Sequence, residues 1–275
     1  MHIHQVFKVF IFFPLILFAH ITYSRFSLFS PFQHVVNYCR KKQAQKPQPL
    51  TKVALLHIIG RIDDAEPFVK QILKCYDPAI KGIILHINSI GGGASSSIIA
   101  LELKKLKALK PIVAIIEDVC FSAAYEIACV ADVIIAPYGS FIGNIGVRFH
   151  KSTVSDASFK DENEHTSGKI HWIFVAAGKF TPYIFDDFCE KYREHHQNKI
   201  AKLYREFYCF VAQERNLSLY NVKEWANGKY FVATRALELH LIDKIGGYYD
   251  TLDTMKELLQ QKDDDPITDL DIIEI

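Results

Sequence analysis

An excess of charge of either sign is what this sequence most plainly lacks. Its 32 Lys and Arg residues stand against 31 Asp and Glu residues, leaving a formal net charge of +1. A chain so balanced offers no electrostatic footprint for nucleic acid, and no nucleic-acid partner is expected. Cysteine is present without a pattern. The six cysteines, at positions 39, 75, 120, 129, 189 and 209, are spaced too irregularly in too long a chain for a disulfide scaffold. No pair has the spacing of a zinc site, so no metal is expected. Cys120 and Cys129 stand inside apolar segments, where free Cys behaves as a small hydrophobe. Nucleotide loops are missing too: no Gly-Lys-Ser/Thr follows the glycine-rich stretch, and G-x-G-x-x-G is absent. There is no internal repeat.

Long apolar runs are scarce. The one membrane-grade segment is VFKVFIFFPLILFAHITY, residues 6–23, whose uninterrupted core from Val9 to Ala19 is short for a span. Lys8 and His20 can snorkel towards the two interfaces and lengthen it. Little positive charge precedes it and no clean A-x-A site follows, which favours an uncleaved anchor over a signal peptide. Arg25, Arg40, Lys41 and Lys42 follow it, and the positive-inside rule would then keep the main domain in the cytoplasm. Residues 40–51, RKKQAQKPQPLT, are polar with two prolines and read as a linker.

What remains is rich in apolar residues, 49% of the chain, enough for a full-sized core. KVALLHIIG, GIILHINS, PIVAIIEDV and DVIIA read as buried strands. Helical spacing fills the gaps between the first three: Ala65–Lys74, then Ser95–Leu109, an amphipathic helix opened by serines. Strands apolar throughout, alternating with helices, predict an α/β fold of parallel β–α–β units. FIGNIGVRF reads as one short strand, residues 150–168 as a loop, and IHWIFVAAGKF as a strand. Pro182–Gln213 and Tyr249–Gln261 read as helices, Thr234–Leu239 as a shorter one, and KDDDPITDLDIIEI as an acidic, mobile tail.

Two turns carry the chemistry. Asn88-Ser-Ile-Gly-Gly-Gly93 ends one strand and opens a helix, which lets backbone N–H groups point into open space. Ser122 sits between the next strand and the small-residue helix Ala123–Ala131. A serine there is an N-cap, or a nucleophile whose own turn supplies part of an oxyanion hole. Both turns leave the same end of adjacent parallel strands, so they should meet. A serine beside a glycine-lined anion site is what acyl transfer requires.

The stretches INSIGGGASSSIIALELKKLK, DVCFSAAYEIACVADVIIAPYGSFIGNIGV and VKEWANGKYFVATRALELHLIDKIGG, in this order, resemble the signal peptide peptidase A family (protease IV, SohB-like). The likeness covers about residues 52–250, together with the amino-terminal apolar segment. It implies the ClpP/crotonase-like spiral fold and serine endopeptidase activity on extended apolar peptides such as signal peptides, with a lysine as general base and no cofactor. It further implies a homo-oligomeric ring and a single-pass location of the bacterial inner-membrane type. The chain then divides into an anchor or signal segment (1–24), a linker (25–51), the peptidase-like domain (52–250), and a helix with acidic tail (251–275).

By this resemblance Ser122 is the nucleophile, and the N–H groups of Gly92 or Gly93 and of Ala123 form the oxyanion hole. Four departures bear on that expectation. Ile90 replaces the family's proline, and Ala123-Ala124 replace Gly-Gly, which is tolerable if φ stays negative. Thr181 stands where the family has its lysine, with Lys179 two residues earlier. Asn144 stands where the family has a lysine-positioning serine. Residues 179 and 181 of a strand share a face, so Lys179 can serve as the base with Asn144 accepting its hydrogen bond. Lys169 is a second candidate. The alternative is an inactive homologue that binds or scaffolds peptides. A crotonase-like acyl-CoA enzyme is disfavoured, because it leaves the serine turn unexplained. Among the twelve histidines, His57 and His86 sit within apolar strands and read as core residues rather than as members of a triad.

Overall fold

The computed structural model describes residues 50–154, 170–177, 188–262, 267 and 269–275, all within one compact unit, Pro49–Ile275. The amino-terminal apolar segment, Lys169, Lys179 and Thr181 lie outside the described residues. Strands β1 (Thr51–Ile62), β2 (Ile80–Gly92), β3 (Ile112–Phe121) and β4 (Val133–Ala136) pair in parallel, as their unbroken apolar runs predict. Helices α1 (Glu66–Lys74), α2 (Ser95–Lys107) and α3 (Ala123–Ala128) make the connections between them. Ala54, Leu56, Ile58, Leu85, Ile87, Ala114 and Ile116 join Ile99, Leu103, Leu106 and Tyr125 in one buried cluster, so one sheet face is covered by these helices.

Helix α4 (Phe188–Arg215) and the short α5 (Val222–Trp225) follow a two-stranded antiparallel ribbon of β6 (Val147–Val154) and β7 (Ile170–Ala177). Near its end α4 buries Val211 and Ala212, and Arg215 reaches Asp243 at 2.6 Å. β5 (Phe141–Gly143) runs parallel to the end of β3 and takes the antiparallel β8 (Tyr230–Val232) on its other side. Helix α6 (Ala233–Glu238) and β9 (Lys244–Ile245) lead to α7 (Tyr248–Gln260), which lies on the second face. A Cβ on Gly82 of β2 would sit 2.5 Å from Met255 Sδ of α7, so glycine admits that helix to the sheet.

Four expectations change. Residues 150–154, expected at the start of a loop, belong to β6. FIGNIGVRF is two strands, because Gly143 and Asn144 take φ of 113° and 53° and turn the chain between them. The serines of α2 do not cap it: Ala94 holds that position without a side-chain cap, and the Ser96 and Ser97 hydroxyls donate to Glu126 instead, at 2.5 and 2.8 Å. The acidic tail contains β10 (Leu270–Glu274), paired in parallel with the outer side of β1. Leu270 and Ile272 alternate inward there, a period-two signal set beside a charge-rich run.

Candidate active site

The two turns meet, as parallel neighbours must. A Cβ on Gly91 would lie 3.0 Å from Ser122 Cβ, 3.0 Å from Ala123 N and 2.4 Å from the Phe121 carbonyl oxygen. With φ at +89°, Gly91 is thus glycine for two reasons, the close approach and the backbone conformation. Behind it, the Ser89 hydroxyl donates to the Gly60 carbonyl at 2.5 Å and accepts the Gly91 N–H at 3.1 Å, fixing the turn to β1.

Ser122 itself has φ 54° and ψ −120°, a conformation that a residue with a side chain rarely adopts. Holding it costs about 1–3 kcal/mol, and such strain persists only where the surroundings impose it. Here the surroundings are specific. The Ser122 N–H donates to the Gly143 carbonyl at 2.8 Å, and its carbonyl accepts the Glu126 N–H of α3 at 3.0 Å. The residue occupies the N-cap position of α3 but makes no side-chain cap hydrogen bond. The capping reading of its hydroxyl therefore fails. Ala123 and Ala124 are buried and keep negative φ, as the replacement of two glycines requires.

The predicted oxyanion donors separate. The Gly93 N–H does not face the serine turn; it donates to the Ile62 carbonyl at 2.8 Å. Gly92 pairs with Ile62 across β1 and β2, and Ala123 is the first residue of α3, where backbone N–H groups lack intrahelical partners. Asn144 comes directly after the glycine that anchors Ser122. Its Nδ2 donates to the Gly228 carbonyl at 2.7 Å, leaving Oδ1 as the acceptor end of the amide. Gly91 is not singled out by the sequence, because three consecutive glycines do not reveal which one touches the serine turn.

Beside the serine turn, on the α7 side of the sheet, lies a polar row. His86, with no exposed side-chain surface, sets Nδ1 2.9 Å from His57 Nδ1 and Nε2 3.1 Å from both Glu117 Oε2 and Tyr248 Oη. His86 is a satisfied core histidine, as expected, whereas His57 is only partly buried. Burial lowers the affinity of His86 for a proton; Glu117 opposes this and His57 adds to it. His57 shifts the same way by burial, against Glu274 and Glu117. A base whose folded pKa lies below its ordinary 6.5 takes up protons more readily when unfolded. Stability from this row is therefore complete above pH 6.5 and falls as the pH drops below it. We expect the melting temperature to decline on acidification in that window, and to do so less in His86→Gln; equal slopes in the two proteins would contradict this.

Residues 104–262 match the family model described as peptidase family S49, more than half of the chain. The chain belongs to peptidase family S49. The matched residues include Ser122, Asn144 and Gly228. The S49 chain is 26% identical over 233 residues to Protease 4 of Haemophilus influenzae, covering 80% of this chain and 37% of that one. It is 28% identical over 213 residues to a putative protease of Methanocaldococcus jannaschii, covering 76% and 63%. With the putative signal peptide peptidase SppA of Enterococcus faecium it shares 31% over 219 residues, covering 75% and 58%. It thus spans from about a third to under two thirds of the length of these relatives. Among the described residues no cluster of His, Cys, Asp and Glu could hold a metal ion, and no helix is long and apolar enough to cross a membrane.

Proposed function

We propose that this S49 chain is a serine endopeptidase in which Ser122 attacks the scissile carbonyl of an extended apolar peptide. The carrying observation is the strained Ser122 backbone, clamped between Gly91 and Gly143 at the entrance to α3. The N–H groups of Gly92 and Ala123 receive the oxyanion, and the dipole of α3 adds to them. Lys179 is the general base, activated by desolvation, and the Asn144 amide oxygen positions its amine. β7 supports this choice: Ala177 pairs with Val147, three residues past Asn144, and two further residues reach at most about 7 Å. The parallel β–α–β order of β1 to β4 supports a ClpP/crotonase-like spiral.

Relatives named signal peptide peptidase and protease support apolar, signal-peptide-like substrates. We assign residues 1–24 as a membrane anchor of the single-pass, inner-membrane type, 25–51 as a linker, 52–250 as the peptidase domain, and a homo-oligomeric ring as the assembly. Thr181 at the family's lysine position supports a second reading, an inactive homologue that binds peptides. Hydrolysis of a signal-peptide-like substrate by the purified chain decides between them: turnover absent from wild type, or equal in Ser122→Ala, contradicts the first reading. The anchor has its own test. The full chain should stay with membranes through a carbonate wash while a chain beginning at Lys52 is released; a full chain that washes off contradicts the assignment.

A further inference from the structure

β3 does not reach Ser122 in regular register. Ile87 of β2 pairs with Ile116 and Ser89 pairs with Cys120, so Asn88 alone faces Glu117, Asp118 and Val119. This is a bulge of two extra residues, and bulges beside active sites re-aim the neighbouring side chains. Ser122 stands only two residues beyond Cys120, where regular pairing resumes.

The backbone ladder is interrupted at the bulge, and side chains span the gap. The Glu117 carboxylate accepts from Asn88 Nδ2 at 3.3 Å and meets His86 Nε2 at 3.1 Å, both on β2. His86 is braced in turn by His57 of β1 and Tyr248 of α7. On the other side, the Glu117 carbonyl accepts the Ser140 hydroxyl at 3.2 Å, at the start of the segment that leads through β5 to Gly143. One residue therefore joins the strand that enters the glycine turn, the strand that carries the serine, and the segment that anchors the serine's N–H. A plain surface role does not fit it, since Glu117 is about one-third exposed and its carboxylate faces a wholly buried imidazole.

We infer that Glu117 is a positioning residue: with Asn88 and His86 it pins the β3 bulge and so fixes where Ser122 points. The inference deepens the serine-peptidase reading and rests on it for its catalytic consequence only. Removing the carboxylate frees the bulge and misplaces the Ser122 hydroxyl, and a displacement of about 1 Å can cost on the order of 10²-fold in rate.

The experiment uses the full chain with Glu117→Ala, Glu117→Gln and Asn88→Ala, and two readouts. The first, amide hydrogen exchange, needs no activity. Exchange across Val119–Ala123 should quicken about tenfold in Glu117→Ala, the loss of one hydrogen bond to a charged group, while Val53–Leu56 keeps its protection. The second is peptide hydrolysis, where kcat should fall about 10²-fold with KM little changed. Glu117→Gln keeps an acceptor for Asn88 and should recover part of both effects; Asn88→Ala should reproduce both if Glu117→Ala folds poorly. Unchanged exchange at 119–123 in Glu117→Ala and Asn88→Ala overturns the inference whether or not the chain hydrolyses peptides. Wild-type kcat in both variants overturns it as well. Turnover that survives Ser122→Ala removes the nucleophile instead, and the exchange result then decides the bulge alone.

Discussion

Ser122→Ala should reduce peptide hydrolysis by roughly 10⁴-fold or more, the scale on which loss of a serine nucleophile is felt. The fold should survive. The hydroxyl makes no cap bond to α3, and the backbone bonds to Gly143 and Glu126 do not involve it. Alanine carries the same Cβ as serine and adds no strain at this φ, so the turn, closely approached by Gly91, keeps its shape. The measurement is turnover of an apolar peptide beside a melting curve. A variant that melts like wild type and has lost turnover supports the assignment. One that retains turnover removes it.

Lys179→Ala carries the second large effect. A general base contributes roughly 10²–10⁴-fold, and that loss should fall mainly on kcat. In wild type the rate should rise with pH as the amine gives up its proton, and this limb should vanish in the variant. Thr181→Lys should then add nothing, or interfere by introducing a second amine. The inactive reading inverts these outcomes: wild type is silent, and Thr181→Lys, with Asn144→Ser, gains turnover. Wild-type turnover indifferent to Lys179 removes the proposed base while leaving Ser122 in place.

The apolar runs in β1 to β4 made the parallel sheet readable, because strands covered on both faces need no alternation. The meeting of the Asn88–Gly93 and Ser122 turns was equally legible, because turns leaving the same end of adjacent parallel strands converge. What escaped was set by tertiary pairing. Ser122's φ of 54° has no local signature, since nothing in Phe-Ser-Ala demands it. FIGNIGVRF looked continuous because its break depends on Asn144 taking a left-handed conformation fixed by Gly228 and Lys229. β10 was hidden by the acidic residues around Leu270 and Ile272, whose burial needs the open side of β1. The row linking His86 to Glu117 joins residues 31 apart, and only the register of β2 on β3 brings them together.

The most direct test of the central claim is the site of covalent modification. The full-length protein is treated with a serine-reactive acylating probe across a range of pH, digested, and its peptides are weighed. One adduct is expected, on Ser122, forming faster as pH rises and absent from Ser122→Ala. Adduct on another residue, or wild-type protein that stays unmodified at every pH, would contradict it.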